Sequence, residues 1–149
     1  MSLIALLDVN VLVALFDPGH VHHDIAHDWF AEYGVDGWAS CPVTENGFLR
    51  TAAVVARKGE FIPTATLIDH LRTFGTAGRH EFWNDDLSLI DAARFDARRI
   101  HGSRQITDVY LLALAVAHDG QLVTFEARIH LAAVKGARPQ HLVVLAAAE

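Results

Sequence analysis

The sequence predicts an α/β domain: a mainly parallel sheet flanked by helices, its crossovers right-handed. Three observations carry that expectation. Short apolar runs such as Leu3–Leu7 and Leu122–Phe125 read as strands buried on both faces. Stretches of helical period, long enough for crossover helices, separate those runs. No internal repeat, low-complexity tract or long linker interrupts the alternation.

The elements follow in chain order. Leu3–Leu7 is a central strand bounded by Asp8, and Asn10 is a plausible N-cap for a helix through Phe16, stopped by Asp17-Pro18-Gly19. A second helix spans about Val21 to Tyr33, with Ile25, Trp29, Phe30 and Tyr33 on one face and Gly34 as its stop. Trp38–Ser40 is a short strand. Pro42 opens the next helix, where its missing N–H costs nothing; Val43, Phe48, Leu49, Ala52 and Val55 face inward and Gly59 ends it. After the break at Ile62-Pro63, Thr64–Phe74 is amphipathic through Leu67, Ile68, Leu71 and Phe74. His80–Trp83 reads as a strand. Ser88 caps a predicted helix ending at Gly102, with Leu89, Ala93, Ala97 and Ile100 inward. Thr107–His118 is apolar almost all round and predicts a buried central helix. The Asp119-Gly120 turn, a strand Leu122–Phe125, a helix Glu126–Val134 and a strand Leu142–Leu145 complete the chain.

At 149 residues the chain fits one domain, residues 1–149. Its 52% apolar and 20% charged residues exclude a disordered chain. Twelve Lys+Arg against eighteen Asp+Glu give a net charge of −6, which by itself speaks against a broad phosphate-neutralising surface. Cys41 is the single cysteine, so an intrachain disulfide and a cysteine-based zinc site are both excluded. No apolar stretch approaches the roughly 20 residues of a membrane-spanning helix, and the N-terminal run lacks a positive flank, so the expected setting is the cytoplasm.

The acidic residues fall where chemistry is expected. Asp8 ends the first strand, Glu45 lies in the opening turns of the helix after the second, Asp108 begins the buried helix, and Glu126 follows the strand ending at Phe125. Residues just beyond the carboxyl ends of parallel strands converge on one crevice, where ligands bind. Any one of these acids could serve as a helix cap or dipole partner. Four together repel one another unless a cation joins them, and an all-oxygen set suits Mg²⁺ or Mn²⁺. Such an ion activates water for attack on a phosphodiester, so the pattern points to phosphate chemistry more than to peptide hydrolysis. A phosphoacceptor receiver domain would need an acidic pair where Asp8 stands alone. A haloacid-dehalogenase-type phosphatase would need an Asp where Asn10 stands.

Four segments carry a resemblance over nearly the whole chain: Leu7-Asp8-Val9-Asn10-Val11-Leu12, Cys41-Pro42-Val43-Thr44-Glu45-Asn46-Gly47-Phe48-Leu49-Arg50, Ile106-Thr107-Asp108-Val109-Tyr110-Leu111-Leu112-Ala113 and Leu122-Val123-Thr124-Phe125-Glu126. In that order they resemble PIN-domain ribonucleases, specifically the VapC toxins of type II toxin–antitoxin pairs. The resemblance implies a PIN-like three-layer fold and carries the family's acidic quartet onto Asp8, Glu45, Asp108 and Glu126 as catalytic and metal-ligating residues. Glu126 departs from the Asp usual at the fourth position and reaches one methylene further. Asn10, Thr107 and Thr124 match polar positions that orient the acids or their waters. The resemblance further implies a homodimer, dependence on Mg²⁺ or Mn²⁺, cleavage of structured RNA such as transfer or ribosomal RNA, and neutralisation by a VapB-type antitoxin. A PIN-domain nuclease of RNA maturation without an antitoxin, and an inactive PIN-like binding module, are the alternatives.

Arg50, one turn past Glu45, and Arg104, shortly before Asp108, are candidate substrate-binding residues. Arg94, Arg98 and Arg99 fit either phosphate recognition or a solvated helix face paired with Asp91 and Asp96. His20, His22, His23 and His27 resemble a metal cluster, with His23 and His27 at i, i+4, but no third-ligand motif accompanies them. They are read as surface or substrate-contact residues. Trp29, Phe30 and Tyr33 are expected in the core or at an interface, and Cys41 as a small buried residue.

Overall fold

The computed structural model describes residues 3–55 and 61–146. Five strands, β1 (Ala5–Leu7), β2 (Trp38–Ser40), β3 (His80–Phe82), β4 (Gln121–Thr124) and β5 (Leu142–Val144), form one sheet in the order β3-β2-β1-β4-β5. Every pairing is parallel. Five helices flank it: α1 (Val9–Phe16), α2 (His23–Glu32), α3 (Pro42–Val55), α4 (Thr64–Phe74) and α5 (Ile106–Ala117). Strand order reverses beside β1, so the crevice between the carboxyl ends of β1 and β4 is the topological switch point.

The pleat divides the core in two. Ala5, Leu7, Trp38 and Val123 pack with α1, α2, α3 and α4, whereas Leu6, Ala39 and Leu122 face α5, Trp83 and Phe95. Helices thus cover both faces, giving three layers. Val109 and Leu111–Ala115 of α5 are all buried, which accounts for the near-continuous apolar run there.

Three expectations are corrected. Asp8, and not Asn10, caps α1: its Oδ1 accepts from Val9 N at 2.7 Å, so the strand turns into the helix without a loop. The helix expected from Ser88 to Gly102 is replaced by turns, with one 3₁₀ turn at Ala97–Arg99. The helix expected over Glu126–Val134 is likewise reduced to a 3₁₀ turn at Leu131–Ala133. One cause serves both. Phe95 forms an antiparallel bridge with Val134, Asp96 N donates to Ala133 O, and Lys135 N donates to Arg94 O, so the two segments satisfy each other's backbone. Asp91 Oδ1 and Asp96 Oδ1 also accept from Ala93 N and Arg98 N, local bonds that compete with helix. Gly59 as a helix stop and the side chain of Val55 lie outside the described residues.

Candidate active site at the switch point

Asp8 leaves the end of β1 with only 5% of its surface exposed. Oδ1 caps α1, and Oδ2 accepts from Thr124 Oγ1 at 2.7 Å. Thr124 ends β4, the strand paired with β1, which is why residues 116 positions apart meet. Its hydroxyl in turn accepts from Asn10 Nδ2 at 3.3 Å and from Glu126 N at 3.0 Å. Asn10 Oδ1 accepts from Phe125 N. Asn10 and Thr124 therefore form a clamp around Asp8. Thr107 stands exposed in the first turn of α5, joined to none of the acids by a hydrogen bond among the described residues.

Asp108 enters the crevice from the first turn of α5. Burial foremost, then the charges of Asp8 and Glu126, push its carboxyl up to about 6. Burial also raises Asp8, against the bonds from Thr124 and Val9 that favour its charged form. Glu126 behaves oppositely: Arg128 donates to it from its backbone N at 2.9 Å and from Nε at 3.0 Å, and holds its carboxyl below the ordinary value. Asp108, Glu126 and Arg128 line a cleft of about 390 Å³ with His101, Ser103, Arg104 and Gln105. Two arginines thus line an acidic cleft, one of them paired with its glutamate.

Glu45 occupies a neighbouring place. It lies in the first turn of α3, which Pro42 opens and where Thr44 Oγ1 accepts from Cys41 N at 3.0 Å. Its Oε2 accepts from Ser40 Oγ at 2.6 Å, and its side chain lines a second depression with Arg72, Thr76 and His80. The structure thus couples Asp8, Asp108 and Glu126 directly, with Glu45 one strand away beyond β2.

Over residues 5–135 the chain matches the PIN domain family. The chain belongs to the PIN-domain family. It is 48% identical over 141 residues to ribonuclease VapC44 of Mycobacterium tuberculosis, covering 95% of this chain and 99% of the relative. Ribonuclease VapC39 of the same organism is 40% identical over 125 residues, 84% of this chain and 90% of that one. Ribonuclease VapC38 is 43% identical over 129 residues, 84% of this chain and 86% of that one. Within the PIN family, the chain groups with these VapC ribonucleases.

Among the described residues no group of three or more His, Cys, Asp or Glu side chains is placed to hold a metal ion together. The donor set of this PIN domain nevertheless fits Mg²⁺ or Mn²⁺ by its chemistry. The carboxylates are hard oxygen donors that destabilise each other's charge, and Mg²⁺ needs only one or two of them because it keeps most of its waters. The histidines do other work. His23 Nδ1 and His27 Nε2 stand 2.7 and 3.1 Å from Ala14 O and Leu15 O, the open carbonyl end of α1, so they anchor α2 to α1. His22 stacks on Phe125, ring centroids 4.6 Å apart. Arg50 is exposed on α3 and lines neither depression, whereas Arg104 lines the acidic cleft. Arg94 pairs with Asp91, and Arg98 and Arg99 with Asp96. Sequence reasoning missed Arg128, Ser40 and His80. Arg128 sits two residues after Glu126, a spacing with no periodic signature, and the other two meet only across the β2–β3 pairing.

Proposed function

We propose that the chain, as a single PIN domain over residues 1–149, is a metal-dependent endoribonuclease toxin that cleaves structured RNA, transfer or ribosomal. The observation that carries this reading is Asp108, half-buried within reach of the charges of Asp8 and Glu126 and lining, with Glu126, a cleft that also presents Arg104 and Arg128. Asp8 and Asp108 hold Mg²⁺ or Mn²⁺, with Glu45 and Glu126 completing the acidic set. When bound, the cation activates water and neutralises charge developing on the phosphate. The chain's own residues fix the rest. Thr124 and Val9 N keep Asp8 oriented and favour its charged form. Arg104 offers a planar fork to phosphate oxygens, while Arg128 gives its Nε and Nη2 edge to Glu126 and adds positive charge at the cleft, which compensates locally for the net charge of −6.

A VapB-type antitoxin is the proposed neutralising partner, acting on a cytoplasmic homodimer. An apolar groove of about 160 Å³ lined by Leu12, Phe16, Phe30, Phe48, Leu71 and Phe74, between α1, α2, α3 and α4, suits the apolar face of a partner's helix. Among the described residues no helix is long and apolar enough to cross a membrane.

Total RNA incubated with the native chain and Mg²⁺ or Mn²⁺ should yield discrete fragments, lost with EDTA and in Asp8→Ala and Asp108→Ala. Absence of cleavage by the folded native chain leaves the binding-module alternative. Cleavage that survives both substitutions refutes the site. Growth arrest on expression, relieved by co-expressing a VapB-type antitoxin encoded directly upstream where such a frame is found, separates a toxin from an RNA-maturation nuclease.

A further inference from the structure

Ser40, at the end of β2, is 2% exposed, and its hydroxyl lies between two groups: Glu45 Oε2 at 2.6 Å and His80 Nε2 at 2.8 Å. A hydroxyl has one proton to give. An ionised carboxylate can only accept, so Ser40 donates to Glu45 and its lone pair faces His80. His80 Nε2 must then carry a proton. The order of groups is therefore imidazole, hydroxyl, carboxylate. This differs from an acyl-transfer triad, where the acid sits on the far side of the imidazole and the serine is open to substrate.

The imidazole is fixed in place. His80 pairs in register with Trp38 on β2, and Ser40 lies two residues further along the same face, so His80 reaches it diagonally across the sheet. The Trp38 ring packs on the imidazole with centroids 4.2 Å apart, and Trp38 Nε1 is tied to Ala77 O at 2.8 Å. A donor held this firmly restricts the rotamers of Glu45, which is otherwise a long side chain in the first turn of a helix.

We propose that His80 and Ser40 are positioning residues for Glu45: a fixed relay that holds Oε2 and keeps the carboxylate at the carboxyl end of β2, the strand beside β1. The relay rests on the reading of Glu45 as one of the acids of a metal-dependent ribonuclease. It accounts for how Glu45, one strand away from the three coupled acids, is kept in a defined orientation without an arginine or lysine partner among the described residues.

The test uses the full chain, with Mn²⁺ binding followed by electron paramagnetic resonance and RNA cleavage resolved into kcat and KM. Ser40→Ala and His80→Ala should each weaken Mn²⁺ binding and lower kcat about 10-fold, as loss of an outer-shell orienting group does, with KM little changed. His80→Gln, whose amide nitrogen falls near the Nε2 position, should recover most of both. His80→Asn, one methylene shorter, should not, and the contrast between the two amides cannot come from a general folding defect. Adding Ser40→Ala to Glu45→Gln should cause no further loss. If Glu45→Gln impairs metal binding and cleavage while Ser40→Ala and His80→Ala leave both at native values, the relay is overturned and the acid assignment stands. If Glu45→Gln is itself silent, the acid assignment for Glu45 fails and the relay loses its function. Independently of either, ring ¹⁵N spectra of the metal-free chain should show His80 protonated at Nε2, with the resonance displaced in Ser40→Ala. A bare Nε2 overturns the relay whatever Glu45 does.

Discussion

Thr124 Oγ1 has one proton and two lone pairs, and all three are used: the proton on Asp8 Oδ2, the lone pairs on Asn10 Nδ2 and Glu126 N. Thr124→Val keeps the shape but leaves the buried Asp8 oxygen and two donors without partners. The variant should lose about 1–3 kcal/mol, the cost of an unpaired buried polar group. Urea denaturation in EDTA measures the loss, and Thr124→Ser should retain most of the native value; equal stability of all three chains would show that the clamp contributes nothing. At this scale the sequence was partly legible. Asp8, Asp108 and Glu126 stood out because each sits where an apolar run ends or begins, and a charge at the edge of a core needs a reason. His23 and His27 were misleading because i, i+4 spacing places two rings on one helix face without saying what that face meets. Here it meets the open carbonyls of Ala14 and Leu15.

The connection from α5 into β4 decides whether Asp108 and Thr124 face the same crevice. It closes with Gly120 N on Ala115 O at 2.8 Å and Asp119 N on Val116 O at 3.0 Å, with Asp119 in the left-handed region at φ 50°. This is the hydrogen-bond pattern of a Schellman ending. Gly120 is needed for space: a Cβ there would lie 2.5 Å from Ile4 O, a backbone atom immediately before β1. Gly120→Ala should therefore destabilise the fold by about 1–3 kcal/mol, as overpacking against an unyielding neighbour does. A melting curve matching the native one would mean that β1 can move aside. The strands and the five α-helices could be read from sequence because each carries its own apolar pattern, even where its cap was misplaced, as at α1, or absent, as at α2, α4 and α5. The segments after Ser88 and after Glu126 could not. Their helical patterns were real, but the backbone partners that replaced the helices, Phe95 with Val134 and Arg94 with Lys135, lie about forty residues apart and leave no local trace.

Across the whole molecule, the net charge of −6 and the acidic crevice make stability depend on what neutralises Asp108. Its carboxyl titrates near 6 in the folded chain against an ordinary value of 3.8, so between those values the folded state binds more protons than the unfolded state. Stability from this group is present at the acid end of that window and is lost as pH rises through 6. Asp8, also raised, adds in the same direction, while Glu126 is held below its ordinary value of 4.5 and titrates beneath most of the window. In EDTA, lowering the pH from 7 to 5 should raise the melting temperature of the native chain relative to that of Asp108→Asn, which should be the more stable of the two at pH 7; His70 and His80, both lowered by burial, oppose the rise equally in the two chains and cancel in the difference. A divalent cation does at neutral pH what protons do at pH 5, but only if the carboxylates are there to receive it. Mg²⁺ or Mn²⁺ at about 100 times Kd should stabilise the native chain by about 2.7 kcal/mol through mass action. Asp108→Asn reverses the order: more stable than the native chain without metal, and less responsive once metal is added. A general effect of ionic strength on an acidic surface would shift both chains equally, so the crossing of the two titration curves is what separates a cation site at the switch point from screening of the −6 charge.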